Sequence, residues 1–205
     1  MSTDILIRAA DPAELPAVYE LMVTGFADVF GPAFGGRPAD VQRDVLVRLR
    51  QCRPEPATGL VVAIRDGKVV GATEWRTTEL AGAGLLPRLL VLTRLGPVGL
   101  LRFAIRTRPI GRPPLRTGEA QLPGTVVAPG NQGLGIGRSL LAYSLEVTER
   151  AGVRIWRDLV AEENLASRAM LTALGFREVA RFGPSWWQRR LGASASLVME
   201  RRAEG

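Results

Sequence analysis

Histidine is absent from the 205-residue chain, and cysteine occurs once, at Cys52. Without imidazole there is no His-containing zinc site and no triad that uses a histidine base. A single thiol excludes a disulfide framework within the chain. Cys52 sits in LRQCRP at an apparent helix end and reads as a tolerated thiol rather than a nucleophile. Lysine is as scarce: Lys68 stands alone, so the net charge of +7 rests almost wholly on arginine. With alanine and glycine abundant, that skew reads partly as codon bias. A basic surface suits an acidic ligand, RNA or anionic lipid alike, so charge selects none of them. Long uninterrupted apolar runs are missing too, because Arg88, Arg94, Pro97 and Arg102 break the longest candidate. The start MSTDILIRAAD lacks the basic and apolar regions of a signal peptide. The expectation is a cytoplasmic protein without stable membrane insertion.

What is present is the composition of an ordinary globular domain, 46% hydrophobic and 23% charged, in a chain long enough for a sizeable core. Asp4 to Arg8 predicts a strand with Ile5 and Ile7 on one face and Leu6 on the other. Asp11-Pro12-Ala13-Glu14 combines an N-cap, a proline and an N3 glutamate, a helix start that leads into Leu15, Val18, Tyr19 and Met22. The helix is expected to end in GFADVFGPAFGG, and a second to run from about Pro38 to Cys52. GLVVAIRDGKVVGATEWRTT predicts a hairpin turning at Asp66-Gly67. A strand follows over about Glu119 to Ala128, then an amphipathic helix with Ile136, Leu140, Tyr143 and Val147 in one stripe. VRIWRDLVA, FREVARF and SLVMERR read as strands, with the helix ENLASRAMLTALG after the first. This order predicts an α/β (α+β) fold, a mixed and mostly antiparallel sheet flanked by helices, as a single domain over residues 1–205. Residues 79–118 interrupt the pattern as a helical insertion that reads as two short helices, LLPRLLVLTRL and PVGLLRFAIR, followed by a Pro/Arg-rich tail. They are either a packed addition whose arginines face water, or a lid or amphipathic surface.

PGNQGLGIGRSLL, from Pro129 to Leu141, places four glycines among nine residues just where a helix begins. Glycine there sacrifices backbone rigidity, so the backbone itself must be needed. A dinucleotide fingerprint fails because Arg138 stands where the third glycine belongs, and a P-loop fails for want of Lys-Ser/Thr. What fits is Gln/Arg-x-x-Gly-x-Gly, met by Gln132, Gly135 and Gly137 between a strand and a helix. This resembles the acyl-CoA-binding motif of the GNAT superfamily of N-acyltransferases. Asn164 to Phe176, NLASRAMLTALGF, is similar to that family's second signature, and the element order matches over nearly the whole chain except 79–118.

The resemblance implies acetyl-CoA or another acyl-CoA as cosubstrate and no metal. It implies that Thr125, Val126 and Val127 part from the strand of Ile155 to Val160, with the pantetheine arm bonded to backbone at Thr125 and Val127. The amides of Gly133, Leu134, Gly135, Ile136, Gly137 and Arg138 would hold the pyrophosphate, as suits a helix N-terminus. Leu134 stands where relatives often carry a basic residue. Asn164 would contact the arm, with Ser167 or Arg168 nearer the nucleotide.

Acyl transfer from a thioester to an amine requires loss of the ammonium proton and, ideally, protonation of the thiolate. The tyrosine that serves many relatives as acid corresponds to Leu171. Tyr19 and Tyr143 lie on core stripes. As base, alternation sets Glu74 in line with Val70 and Ala72, opposite Trp75, either at a cleft rim or buried with a raised pKa. Glu119 is a second candidate, and Gln121 cannot serve. The alternative for either glutamate is a solvated surface charge or an ion pair with one of the many arginines. Glu162 and Glu163 suit the helix start near Asn164. Phe26, Phe30, Phe34, Trp186 and Trp187 point to an apolar acceptor side, or to core packing. The expected activity is N-acetyl transfer to a small, fairly hydrophobic amine. A non-catalytic acyl-CoA-binding module is the alternative, and a membrane-surface or RNA-binding protein a third. Nucleic acid is not an expected partner, and a homodimer is left open.

Overall fold

In a computed structural model, residues 4–78, 89, 93–107, 114–183 and 195–203 are described. The strands are β1 (Leu6–Ala9), β2 (Leu60–Arg65), β3 (Lys68–Thr77), β4 (Glu119–Val127), β5 (Ile155–Ala161), β6 (Arg177–Phe182) and β7 (Ser196–Arg202). They form one seven-stranded sheet in the order β1-β2-β3-β4-β5-β7-β6. All neighbours are antiparallel except β4 and β5. The helices are α1 (Leu15–Gly25), α2 (Ala27–Ala33), α3 (Ala39–Gln51), α4 (Gly96–Thr107), α5 (Ile136–Arg150) and α6 (Leu165–Ala173). This is the mixed α/β fold expected.

The predicted starts and turns are built as their chemistry requires. Ala13 N–H donates to the Asp11 carboxylate at 2.8 Å, and Asp11 N–H donates to Glu14 at 2.7 Å, closing a capping box over a single 3-10 turn before α1. Asp66 and Gly67 both have positive φ, 51° and 70°, as a two-residue type I′ hairpin demands. Ile5 and Ile7 pack against Val61 and Ile136, while Leu6 is 56% exposed.

Two apolar layers sandwich the sheet. On one face Leu15, Val18 and Met22 of α1 meet Leu60, Val62, Ala72 and Val126. On the other, Ile136 and Leu140 of α5 meet Val61, Ala63 and Val70. Further along that face Leu141 and Leu145 pack with Trp156, Leu171 and Phe176. The Trp156 indole N–H donates to Thr148 Oγ1 at 2.8 Å, so this large core ring leaves no orphaned donor.

Two expectations are corrected. GFADVFGPAFGG does not simply break the first helix: α2 forms within it, because Phe26, Phe30 and Phe34 fall four residues apart. Their rings meet at 6.5 and 6.4 Å, and Phe34 meets Phe103 of α4 edge-on at 5.2 Å. The row is largely core packing, and it seats the second helix of the insertion. Second, Val70 does not share a face with Ala72. The β2–β3 register steps from Ala63↔Gly71 to Ile64↔Val69, so Val70 is a bulge residue and turns toward α5. Of the first helix expected in the insertion only Leu89 and a 3-10 turn at Thr93–Leu95 are described, and Trp186 and Trp187 lie outside the described residues.

Gly25 closes α1 hard against β4: a Cβ there would lie 2.3 Å from Val126 Cγ2. Val126 is β-branched and has little freedom to move aside. Gly25→Ala should therefore destabilise the fold by about 1–3 kcal/mol despite alanine's better helix propensity, as read by urea unfolding.

Candidate active site

The central feature is a parting of strands. β4 pairs with β5 only at Glu119↔Ile155, Ala120↔Trp156 and Gln121↔Arg157, although both strands continue. On its other edge β4 stays with β3 as far as Gly71↔Val127. Between Glu74↔Gly124 and Arg76↔Gln121, β4 spends one residue more than β3, a bulge holding Leu122 and Pro123. Proline has no N–H to give to a ladder, so this is where β4 is free to leave β5. Leu122, Pro123, Asp158 and Leu159 line the cleft that opens there.

The backbone of β4 faces that cleft in a definite pattern. Ala128 N–H donates to Val70 O at 2.8 Å, so Ala128 and Val126 turn their polar groups toward β3. Alternation then sends those of Thr125 and Val127 to the open side. Gln132 Nε2 donates to Val127 O at 3.1 Å, joining the glycine loop to the strand end. Thr125 Oγ1 lies 2.8 Å from Thr73 Oγ1. Val126 is a core residue, 6% exposed on the α1 face, and contributes nothing to the cleft.

Gly133 and Gly135 have φ of 77° and 76°, and nothing lies within 4 Å of where their side chains would project. Gly135 is the N-cap of α5 and provides no side-chain cap. The first-turn amides of α5 therefore face an open, positively polarised surface. Arg138, exposed in that turn, forms no ion pair among the described residues, whereas Ile136 turns its side chain into the core. Leu134 is 56% exposed at the loop tip. Gly137 packs close to α6: a Cβ would come within 3.2 Å of Met170 Sδ. This bare-backbone loop at the wide end of the cleft is a fitting cradle for a pyrophosphate and its arm.

Asn164 is the N-cap of α6, and its Oδ1 accepts from Ser167 N–H at 3.0 Å. The helix is thus capped by Asn164 rather than by Glu162, which pairs with Arg181 at 2.7 Å. Arg168 Nη1 donates to Glu162 O at 3.1 Å. Leu171 is fully buried in the core beside Trp156 and Phe176.

Neither glutamate has the environment expected of a base. Glu74 is buried, but not with a raised pKa. Burial alone would push it up; Arg76, through charge and hydrogen bonds, and Arg50 and Arg53, through charge, overcome that and hold it below the ordinary 4.5. Arg50 Nη1 donates to Glu74 Oε1 at 2.5 Å, Arg76 Nε to the same oxygen at 2.9 Å and Arg76 Nη2 to Oε2 at 3.0 Å. Glu119 lies at the closed end of the strand pair. Arg157 Nη1 donates to it at 2.6 Å and Arg157 Nε donates to Glu200 at 2.8 Å, while Arg202 Nε donates to Glu200. Glu119–Arg157–Glu200 thus ties β4, β5 and β7 together where they still pair. Tyr19 is buried and pushed up to about 12 by desolvation and by Glu74. The sequence reading missed Arg50, Arg53, Arg76 and Arg157; only Arg76, two residues along from Glu74 on one strand face, carried a local signal.

The acetyltransferase (GNAT) family profile matches residues 19–176. The chain belongs to the GNAT acetyltransferase family. Its fold agrees with solved GNAT structures. One, an acetyltransferase, is 19% identical over 97% of this chain and 100% of its own, with a TM-score of 0.69. A GCN5-related N-acetyltransferase from Kribbella flavida is also 19% identical, over 97% and 98%, at a TM-score of 0.61. The yncA protein from Salmonella typhimurium, solved with its cofactor acetyl-CoA, is 17% identical over 98% and 94%, at 0.59. None of the curated proteins compared with the chain matches it significantly. Within this GNAT fold β4 and β5 part after three pairs and the glycine loop opens α5. Among the described residues no cluster of His, Cys, Asp and Glu could hold a metal, and no helix is long and apolar enough to cross a membrane.

Glu74, Glu14 and Glu200 all sit below the ordinary carboxylate value of 4.5 in the folded protein. Their contribution to stability is complete above that value and is lost as pH falls through their folded values, because protonation breaks the ion pairs. Thermal midpoints should hold from pH 7 to about 5 and drop below about 4.5. Glu74→Gln should cost about 3 kcal/mol at pH 7, since Arg50, only 2% exposed, keeps its charge without a carboxylate. Urea unfolding across pH checks both.

Proposed function

We propose that the protein is an N-acetyltransferase that moves an acetyl group from acetyl-CoA to the amine of a small, fairly hydrophobic acceptor by direct attack. The observation that carries the reading is the cleft between β4 and β5 ending at the bare-backbone loop of Gly133 and Gly135. In this reading the amides from Gly133 to Arg138, with the Arg138 guanidinium, receive the pyrophosphate. The arm runs along β4 past Val127 and Thr125 and is reached by Asn164 and Ser167. That course brings the thioester toward Leu122 to Gly124, at the bulge.

The acceptor side then lies over Gly124, which the Phe26 ring covers: a Cβ there would be 2.9 Å from Phe26 Cζ. Phe26 is partly exposed and supports an acceptor with an apolar body. A thioester supplies a good leaving group, so the neutral amine adds to its carbonyl and the thiolate departs, the C–N bond replacing the C–S bond. Leu171 has no proton to give, so in this reading water takes the proton that the amine nitrogen loses and returns one to the departing thiolate. Glu74 is proposed to act through charge, as the carboxylate that organises the arginines beside the bulge, and Glu119 to hold the closed end of the cleft. Cytoplasmic location and a single-domain organisation belong to the same reading.

Purified protein incubated with acetyl-CoA and an amine panel should release free thiol only when an acceptor is present. Gly135→Glu places a carboxylate in the phosphate cradle and should weaken acetyl-CoA binding about a hundredfold or more by calorimetry. Gly135→Ala, which adds only backbone strain of about 1 kcal/mol, should retain most of it. Binding without turnover would instead indicate a non-catalytic acyl-CoA-binding module, and unchanged affinity in Gly135→Glu would remove the phosphate assignment.

A further inference from the structure

The cluster around Glu74 has an excess of positive charge in a place that matters. Three guanidiniums, Arg50, Arg53 and Arg76, converge on one carboxylate. Arg50 is satisfied: its side chain is 2% exposed, and its other donors reach Pro56 O at 2.6 Å and Thr58 O at 2.5 Å. Arg76 takes both Glu74 oxygens with two of its nitrogens and leaves Nη1 outside that fork; its side chain is 41% exposed. Arg53 is different. Its nearest carboxylate oxygen is Glu74 Oε1 at 3.8 Å, too far for a hydrogen bond, and that oxygen already accepts from Arg50 and Arg76. The Arg53 side chain is only 20% exposed, so water compensates it poorly. Desolvation and the charges of Arg50 and Arg76 lower its pKa against the weaker pull of Glu74, the direction expected of a cation whose one carboxylate partner among the described residues is shared.

The place is the acceptor side of the bulge. Glu74 lies opposite Gly124 in the β3–β4 ladder and Arg76 opposite Gln121, and Gln121 lines the cleft. The cluster is therefore one strand spacing, about 4.8 Å, from the β4 backbone that borders the cleft. Gly124 carries the Phe26 ring on the same face. A site with three cations against one anion repels a simple ammonium acceptor and attracts one that brings its own negative charge.

We propose that the acceptor amine carries a carboxylate, and that Arg53 with the free Nη1 of Arg76 binds it while Phe26 covers the apolar body. The inference rests on the acetyltransferase reading and specifies its substrate class: apolar amino acids and related aminocarboxylates. Arg53 is a specificity residue, and its guanidinium supplies a fork matched to a carboxylate.

The test compares each of the apolar amino acids with its methyl ester and with the corresponding decarboxylated amine. Turnover is read as thiol release, and binding of the N-acetylated acid and its ester is measured by calorimetry in the presence of CoA. Wild type should favour acids over esters at least about tenfold in kcat/KM and in affinity. Arg53→Gln should erase that preference by raising KM for the acids, leave KM for acetyl-CoA unchanged, and keep the thermal midpoint, since the Arg53 side chain makes no hydrogen bond among the described residues and its one ion pair there is at 3.8 Å. Arg53→Lys should restore part of the preference. An aminoalkylphosphonate arm separates a carboxylate site from one that prefers a doubly charged oxyanion, and stronger use of the phosphonate would overturn the carboxylate assignment. If no acid binds or reacts better than its ester, or if Arg53→Gln keeps the preference, the inference falls while the transferase stands. If acids bind preferentially but no amine releases thiol, the anion site stands and the transferase reading falls.

Discussion

Everything distinctive in this molecule depends on how β4 is shared between two neighbours. It stays with β3 along most of its length and leaves β5 after three pairs. Such a divergence would unzip a sheet unless its closed end were fastened. Arg157 fastens it, with one guanidinium joining Glu119 on β4 to Glu200 on β7 across the strand between them. Burial works against Glu200, yet hydrogen bonds from Arg202 and Arg157 keep it ionised. The clamp sits where the strands still pair, the proline bulge begins the opening, and the glycine loop lies at the wide end.

The two ionic clusters divide the labour of the buried glutamates. Burying charge is costly unless partners and hydrogen bonds repay the desolvation. Around Glu119 and Glu200 the account nearly balances, two carboxylates against Arg157 and Arg202, as suits a fastening. Around Glu74 it does not balance, since three arginines meet a single carboxylate. A structural ion pair needs no surplus, so the surplus is what singles out the Glu74 cluster as more than a fastening.

What could be read from the sequence was what neighbouring residues decide together. The capping box and the Asp66-Gly67 hairpin are each specified within a few residues, and each formed as read, whereas the cap of α6 is Asn164 and not the glutamate expected. The bulge at Val70 was not legible, because alternation has no mark for an extra residue inside a strand. α2 was misread because glycine and proline count as breakers locally, while the aromatic contacts that hold it, Phe34 to Phe103 above all, come from far along the chain. The glutamates were chosen for their place on strands. Two of their ion-pair partners, Arg50 for Glu74 and Arg157 for Glu119, stand 24 and 38 residues away, distances no local pattern spans.

The Gln132 side chain, donating to the Val127 carbonyl, ties the glycine loop to the end of β4 as one piece. For the proposed donor, that piece works as a measuring rod. One end grips phosphate, and the position of the acyl carbon is then set by counting residues back along the strand, at about 3.3 Å for each. The α1–α2 corner, α4 and the arginine cluster lie beside the rod and are not part of it. Acceptor preference can therefore drift through substitutions in those elements without moving the point at which the acyl group is presented.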